Sequence, residues 1–138
     1  MSNALVSIVM LCWNRRDDVR ESLFRIREST YSNVEIIAVD NGSTDGTPQM
    51  IEENFPEVRL LRMPENIGIA AYNAGFEQAK GKYIVILDDD SFPEKHAIER
   101  MVRRFEADPR LGVVAFDVRN YYNYDDIKNV DEMVDNSS

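Results

Sequence analysis

The 138-residue sequence has few residues of the kinds that build disulfides or zinc sites, with one cysteine and one histidine. A single cysteine excludes an internal disulfide. Without clustered cysteine or histidine side chains, a zinc site is not expected either. We expect Cys12 to be a packed small residue rather than a nucleophile, and His96 to be a solvated residue near the start of a helix.

Long apolar runs and a surplus of basic residues are also missing. No run approaches the roughly 20 residues of a membrane span, and no basic and apolar leader precedes the first predicted strand. We therefore expect no transmembrane segment and a cytoplasmic location, with room for peripheral association at the inner face of the membrane. The formal net charge of -9 argues against non-specific nucleic-acid binding, so no nucleic-acid partner is expected.

What is present is a composition typical of a soluble globular domain, 43% hydrophobic and 30% charged. Apolar runs predict strands at residues 6–12, 34–39, 58–61, 83–87 and 111–118, and helical patterns lie between them. Asn14 and Thr47 are expected to cap helices, and Ser91 with Glu94 matches a capping box. This alternation predicts an α/β fold with an open, mostly parallel sheet, flanking helices and right-handed crossovers.

Four apolar residues, Ile84 to Leu87, are followed at once by Asp88, Asp89 and Asp90. Such a run predicts a strand buried on both faces, whose carboxyl end opens into a ligand-binding crevice. Three carboxylates repel each other unless a cation lies among them, and oxygen ligands suit Mg²⁺ or Mn²⁺. The stretch predicts a metal that holds the phosphates of a ligand; the alternative is an acidic loop that happens to follow a strand.

Two other predicted strands end in aromatic or polar residues. Trp13 and Asn14 follow the first strand, and Asp40 and Asn41 end the second. In a parallel sheet both pairs would lie on the same edge as the acidic stretch. An aromatic ring can stack on a base, and a carboxylate or amide can bond the base edge or a sugar hydroxyl. Together these groups describe a nucleotide site, although Trp13 could instead cover the core and Asp40-Asn41 could simply form a turn.

Four motifs in this order and spacing resemble the family-2 glycosyltransferases, which have the GT-A fold. They are SIVMLCWNR at residues 7–15, VDNGSTDGT at 39–47, NIG at 66–68 with NAG at 73–75, and LDDDSFP at 87–93, which resembles the DxD metal motif. The resemblance covers roughly residues 6–118. It implies a nucleotide-diphosphate sugar, expected to be UDP- or dTDP-linked, as donor and Mn²⁺ or Mg²⁺ bridging its diphosphate.

The resemblance also implies roles for individual residues. Those assigned to the nucleotide sugar are Trp13, Asn14, Asp40, Asn41, Asn66, Gly68, Asn73, Asp88 and Asp89. Those assigned to the metal are Asp88 and Asp90. Trp13 would stack on the base, Asp40 and Asn41 would bond its edge, and Asp88 or Asp89 would serve the ribose or the metal. Gly68 and Gly75 also fit a structural role in helix entry and close packing.

Two departures from the family pattern bear on function. The second strand ends in Asp40-Asn41 where the family often has two aspartates, which leaves the identity of the base open. The chain is also shorter than usual for the family, whose later half supplies the acceptor site and the Asp or Glu general base. We therefore expect residues 1–120 to be the donor-binding half-domain of an inverting enzyme. Residues 121–138 would be an acidic tail or the start of a missing acceptor half, and neither a general base nor the glycan, lipid or protein acceptor is assigned.

Three other classes of protein share parts of this pattern. A non-catalytic module that keeps the donor site but lacks the chemistry remains the alternative. A phospho-acceptor receiver domain needs an acidic pair after the first strand and a lysine after the fifth, where this chain has Trp13-Asn14 and Arg119-Asn120. A dinucleotide-binding dehydrogenase is excluded because G-x-G-x-x-G does not follow the first strand.

Overall fold

The structure, a computed structural model, describes residues 3–116. Four parallel strands form one sheet in the order β3-β2-β1-β4. The elements in chain order are β1 (Val6–Cys12), α1 (Arg16–Arg27), β2 (Val34–Asp40), α2 (Thr47–Asn54), β3 (Arg59–Arg62), a 3₁₀ turn (Gly68–Ala71), α3 (Tyr72–Gln78), β4 (Tyr83–Asp88) and α4 (Ala97–Ala107). An open parallel sheet with flanking helices confirms the predicted fold class.

The sheet separates two apolar layers. Alternate residues of a strand face opposite sides, so Ile8 and Met10 pack with α1, α2 and α4, while Val9 packs with α3. α3 lies very close to the sheet because Gly75 has no side chain. A Cβ at this position would lie 2.5 Å from Cγ1 of Val9. Gly75 therefore has the role in close packing that the sequence allowed beside its place in the 73–75 motif.

Two of the predicted helix caps are wrong. Asn14 has a φ of 50° and lies before the N-cap position of α1, which Arg15 occupies without a side-chain capping bond. The amide oxygen of Asn14 instead accepts a hydrogen bond from the backbone N–H of Thr44 at 2.7 Å. Gly46, with a φ of 87°, precedes α2, so Thr47 is the first helical residue rather than the cap. At α1 the partner of the first helical N–H is Asp45 of the neighbouring β2 turn, and at α2 it is the same Asp45, two residues before Thr47.

The capping box at Ser91 and Glu94 is also wrong. α4 begins only at Ala97, and the hydroxyl of Ser91 donates to the carbonyl oxygen of Asp88 at 3.1 Å. The carboxylate of Glu94 accepts from the backbone N–H of His96 at 3.0 Å. The predicted box residues therefore close turns between β4 and α4.

β4 is buried on one face only, so the prediction of two-sided burial is wrong. Val85 and Leu87 are buried, whereas Ile84 and Ile86 are 45% and 59% exposed. The reason is that β4 is an edge strand of the described sheet and α3 packs mainly against β1 and β2.

The predicted fifth strand is not found where the structure describes its range, because residues 111–116 have no strand structure. The rest of that range, the predicted domain boundary at residue 120 and the predicted tail at 121–138 lie outside the described residues. Of the helices within residues 3–116, none has the length and apolar character needed to cross a membrane.

Candidate functional site

The carboxyl edge of the sheet brings together the three turns that the sequence singled out. β1 lies between β2 and β4, with Leu11 in register with both Val39 and Asp88, and Cys12 in register with Asp40. The turns after these strands therefore lie side by side, as a parallel arrangement requires. Cys12 itself is fully buried, and burial raises the pKa of its thiol, which confirms the expectation of a packed small residue.

Asn14 joins the β1 turn to the β2 turn. Its backbone N–H donates to Oγ of Ser43 at 2.9 Å, and its Oδ1 accepts from the N–H of Thr44. The positive φ of Asn14 is one that asparagine tolerates better than most residues. The amide is therefore used to hold two turns together, and its role in nucleotide binding stays a prediction.

Asp45 is a residue of this edge that the sequence reasoning did not single out. Its carboxylate accepts from the backbone N–H groups of Arg16 and Thr47, both at 3.0 Å, and from the hydroxyl of Thr47. Although burial opposes ionisation, these hydrogen bonds lower the pKa of Asp45. One carboxylate thus caps the amino ends of α1 and α2 together. The signal in the sequence was an acid two residues before the Thr47-Pro48 helix start.

Asp40 has a buried carboxylate oxygen that lacks a partner among the described residues. It is 2% exposed, and its Oδ2 accepts from the N–H of Ser43 at 3.0 Å. Its Oδ1 is buried and has no hydrogen-bond partner within residues 3–116. A buried acceptor without a donor is unfavourable, so an N–H or O–H group of a ligand would stabilise this position.

Asn41 is equally buried, but its amide is fully engaged. Its Nδ2 donates to Oδ1 of Asn66 at 3.0 Å and to the carbonyl of Gly68 at 3.1 Å, and its Oδ1 accepts from the N–H of Ile67 at 3.0 Å. Oδ1 of Asn66 also accepts from the N–H of Gly68 at 2.8 Å. A base that bonded Asn41 would have to replace one of these contacts, and the base contact stays a prediction.

Asp89, the middle acid, holds the β1 turn. Its Oδ2 accepts from the backbone N–H of Trp13 at 3.0 Å, and its Oδ1 lies 3.5 Å from Nε of Arg15. Burial raises the pKa of Asp89, and Asp90 and Asp88 add to this, against the opposing effect of the hydrogen bond and the arginine. Its two contacts fix the position of Trp13 relative to β4.

Asp88 and Asp90 are the acids that remain accessible. Oδ1 of Asp88 lies 3.2 Å from the hydroxyl of Tyr72, which also donates to the carbonyl of Leu87 at 2.7 Å. Burial and the neighbouring Asp88 raise the pKa of Tyr72, so its hydroxyl stays a donor. Neither Asp88 nor Asp90 forms an ion pair within the described residues.

The accessible acids do not form a complete metal site by themselves. Residues 3–116 contain no group of three or more His, Cys, Asp or Glu side chains that could hold a metal ion. Mg²⁺ is typically bound by one or two carboxylates with substrate phosphates completing the coordination. Asp88 and Asp90 fit that donor set, in which the ligand supplies the remaining oxygen atoms.

The ring of Trp13 is 48% exposed, which argues against a role as a cover for the core. With Arg15, Arg16 and Asp45 it lines an open cavity of about 480 Å³ beside the amino end of α1. Asp40 and Asp88 are not among the lining residues. Asn73, also predicted to bind the nucleotide sugar, is exposed on α3, and within residues 3–116 its side chain forms no hydrogen bond.

Comparison with known proteins identifies close sequence relatives. The sequence model of the family described as Glycosyl transferase family 2 matches residues 7–136. The chain is 37% identical over 131 residues to Glycosyltransferase GlyG of Streptococcus pneumoniae, and 32% identical over 113 residues to poly-beta-1,6-N-acetyl-D-glucosamine synthase of Staphylococcus aureus. These matches cover 88% and 79% of this chain but only 40% and 27% of the two relatives.

Solved structures share the fold. The mannosyltransferase PcManGT of Pyrobaculum calidifontis, in complex with GDP-Man and Mn²⁺, superposes with a TM-score of 0.75 at 29% identity, over 88% of this chain and 37% of that chain. TarS of S. aureus, residues 1–349 in complex with UDP-GlcNAc, gives a TM-score of 0.70 at 19% identity, over 83% of this chain and 37% of that chain. The second likeness shows the fold alone.

Proposed function

This chain belongs to glycosyl transferase family 2, and we propose that it is the donor-binding part of an enzyme that transfers a sugar from a nucleotide-diphosphate sugar to an acceptor, with inversion. The observation that carries the proposal is the buried Oδ1 of Asp40, which lacks a partner within residues 3–116. It lies on the sheet edge where the exposed ring of Trp13 and the accessible carboxylates of Asp88 and Asp90 also lie.

In this proposal Trp13 stacks on the base and Asp40 accepts a hydrogen bond from the base edge. At the ring nitrogen of that edge, uracil, thymine and guanine carry an N–H group, whereas cytosine and adenine have an acceptor nitrogen. The UDP- or dTDP-linked donors expected from the sequence meet this requirement. So does the GDP-Man in the complex of PcManGT.

The divalent ion, Mn²⁺ or Mg²⁺, would be held by Asp88 and Asp90 together with the diphosphate. When bound, the ion acts as a Lewis acid that stabilises the leaving phosphate. The hydroxyl of Tyr72 orients Asp88, and Asp89 holds the turn that carries Trp13. The Mn²⁺ in the complex of PcManGT supports this assignment.

Neither an acceptor site nor a general base is assigned to any of residues 3–116. The second candidate function is a non-catalytic nucleotide-sugar-binding module, since no general base is assigned within residues 3–116. An assay for sugar transfer by the full-length gene product separates the two. The proposal keeps a cytoplasmic location with peripheral contact at the inner face of the membrane, which cell fractionation tests.

The donor-site proposal is tested by titration calorimetry with UDP. We expect UDP to bind in Mn²⁺ and only weakly after chelation, and equal affinity in both conditions would contradict the metal assignment. Asp40→Asn sharpens the test, because its amide oxygen can still accept from Ser43 while its NH₂ group replaces the free acceptor. This variant should lose affinity for UDP and gain it for CDP, whereas a parallel loss for both would contradict the base contact.

A further inference from the structure

We propose that Asn41 is a positioning residue of the donor site, not a contact to the base. Its side chain is hydrogen-bonded to Asn66 and to the backbone of Ile67 and Gly68, and we call these four residues the clasp. Within the clasp, Asn41 supplies the NH₂ group that donates to the oxygen atoms of Asn66 and Gly68. This clasp fixes the loop after β3 beside the β2 turn. The inference rests on the proposed function where it concerns nucleotide affinity, but the clasp itself is a property of the protein.

The two asparagines of the clasp are not equivalent. Asn41 uses both kinds of amide group, with its NH₂ facing two acceptors, Oδ1 of Asn66 and the carbonyl of Gly68, and its oxygen facing the N–H of Ile67. Asn66 takes part through its oxygen only, which accepts from Asn41 and from the N–H of Gly68. A carboxylate could therefore replace the amide at position 66 but not at position 41.

The turns that the clasp joins are in direct backbone contact. A Cβ on Gly42 would lie 2.9 Å from both Cα and C of Glu65, so there is no space between the β2 turn and the loop. Without the NH₂ group at position 41, the oxygen atoms of Asn66 and Gly68 would face another acceptor across this contact. In this chain an aspartate at position 41 would therefore place a carboxylate against two acceptors of the loop.

The loop leads from the base end of the proposed site to its metal end. Gly68, with a φ of 69°, begins the 3₁₀ turn that continues into α3. The first residue of α3, Tyr72, places its hydroxyl 3.2 Å from Oδ1 of Asp88. Asn41 thus acts on the ligand through the loop and Tyr72, and its loss should weaken nucleotide binding without removing a ligand contact.

The matched variants Asn41→Asp and Asn66→Asp test the proposal. Both add one negative charge at the same 3.0 Å contact, but only Asn41→Asp removes the donor. We expect Asn41→Asp to weaken UDP binding in Mn²⁺ at least about tenfold, which corresponds to about 1.4 kcal/mol, and to weaken it more than Asn66→Asp, which keeps the donor of Asn41. As the pH falls from about 8 to about 5, the affinity of Asn41→Asp relative to wild type should recover, because burial against two acceptors raises the pKa of the new carboxyl and its protonated form regains a donor.

Hydrogen exchange of residues 63–71, followed by mass spectrometry in the protein without ligand, tests the clasp independently. Exchange should increase in Asn41→Asp and not in Asn66→Asp. If the wild type binds no nucleotide, the proposed function fails, and the exchange result still decides the clasp. Equal behaviour of the two variants in exchange, or an Asn41→Asp affinity that does not respond to pH, would overturn the positioning role.

A third variant covers the case in which Asn41→Asp does not fold. Asn66→Ala removes only one of the two acceptors that face Asn41 and leaves the contact to Gly68. Because it also removes the acceptor of the Gly68 N–H, we expect it to increase exchange in the loop and to weaken UDP binding at least about threefold, the effect expected from losing neutral hydrogen bonds. Wild-type exchange and affinity in Asn66→Ala would overturn the proposal.

Discussion

The two edges of the sheet use buried polar groups in opposite ways. At the amino edge, the carboxylate of Glu35 accepts from the hydroxyl of Ser7 at 2.6 Å and the N–H of Lys80 at 2.7 Å, and the N–H of Gly81 donates to Oγ of Ser7 at 2.8 Å. At the carboxyl edge, Asp40 keeps a buried oxygen without a partner in the described part of the chain. The first edge is complete without a ligand, and the second is not.

The pKa shifts at the two edges have opposite signs. Although burial opposes it, the hydrogen bonds from Ser7 and Lys80 lower the pKa of Glu35, whereas burial raises the pKa of Asp89. Stability that depends on ionised Glu35 is present above the ordinary glutamate pKa and is lost as the pH falls through the folded value. For Asp89 the sign reverses, because the folded protein binds this proton more tightly than the unfolded chain. The amino edge is thus stabilised by its own hydrogen bonds, whereas the carboxyl edge has polar groups that a ligand would satisfy.

Gly81→Ala should have the largest effect on this comparison, because it breaks the amino edge. A Cβ on Gly81 would lie 2.6 Å from both N and Oγ of Ser7 and 2.8 Å from the carbonyl of Tyr83. We expect the free energy of unfolding, measured by urea denaturation, to fall by about 3 kcal/mol. Gly112→Ala is the control, since no heavy atom lies within 4 Å of its Cβ position among the described residues. If Gly81→Ala loses no more unfolding free energy than Gly112→Ala, the amino edge adapts to the added methyl group.

The sequence predicted the carboxyl edge much better than the amino edge. Turn residues after parallel strands share an edge whatever the details of the core, so Trp13, Asp40 and Asp88 could be placed together from the pattern alone. The link between Ser7 and Glu35 depends on the register of β1 and β2, which no local pattern specifies. The prediction that β4 is buried on both faces failed for a similar reason, because the coverage of an edge strand depends on what packs beyond it.

Within the predicted site, location could be predicted but partners could not. Asn14, Asn41 and Asp89 are at the expected edge, yet their side chains bond protein groups of neighbouring turns. An amide or carboxylate has the same sequence signature whether its partner is a backbone N–H or a ligand. Only the distances in the folded chain distinguish these residues from Asp40, whose oxygen has no partner in the described residues.

Trp13→Ala tests the ligand-dependent side of the comparison. Base–aromatic stacking is worth roughly 1–3 kcal/mol, so UDP affinity measured by calorimetry should fall by about 2 kcal/mol. Because the ring is 48% exposed, the melting temperature without ligand should hardly change. Phe24→Ala, which removes a 55% exposed ring further along α1, is the control and should leave the affinity intact. A lower melting temperature with an unchanged dissociation constant would contradict stacking.

Glu35→Gln tests the stability side with a smaller change. The amide keeps one acceptor oxygen but loses the charge that strengthens the bonds from Ser7 and Lys80, so unfolding at neutral pH should need about 1.5 kcal/mol less free energy. The variant should also lose less stability than wild type as the pH falls below 4.5, the ordinary pKa of this group. Glu53→Gln, at an exposed position of α2, is the control. Parallel pH profiles for Glu35→Gln and wild type would refute the assigned role.

Asp90→Asn should have the smallest effect on the protein without ligand, and here the sign carries the information. Asp90 has no hydrogen bond or ion pair in the described residues, and α4 begins only at Ala97, so the side chain does not cap that helix. Removing one of three adjacent charges should leave stability unchanged or raise it by less than about 0.5 kcal/mol. With Mn²⁺ and UDP the order should reverse. The wild type gains about 2.7 kcal/mol when free ligand stands at 100 times its dissociation constant, and a variant that lacks a metal ligand gains much less.

Melting curves of wild type, Asp90→Asn and the control Glu53→Gln, with and without Mn²⁺ and UDP, separate the two roles of Asp90. Glu53 is an exposed acid of α2 that does not line the cavity beside Trp13, so its variant should respond to ligand like wild type. A structural role for Asp90 predicts the opposite of the metal role, a loss of roughly 0.5–2 kcal/mol both with and without ligand. Because the amino edge and the core are unchanged in all three proteins, any difference that appears only with ligand must arise at the carboxyl edge. If Asp90→Asn is less stable without ligand, yet stabilised by ligand as much as wild type, Asp90 does not bind the metal.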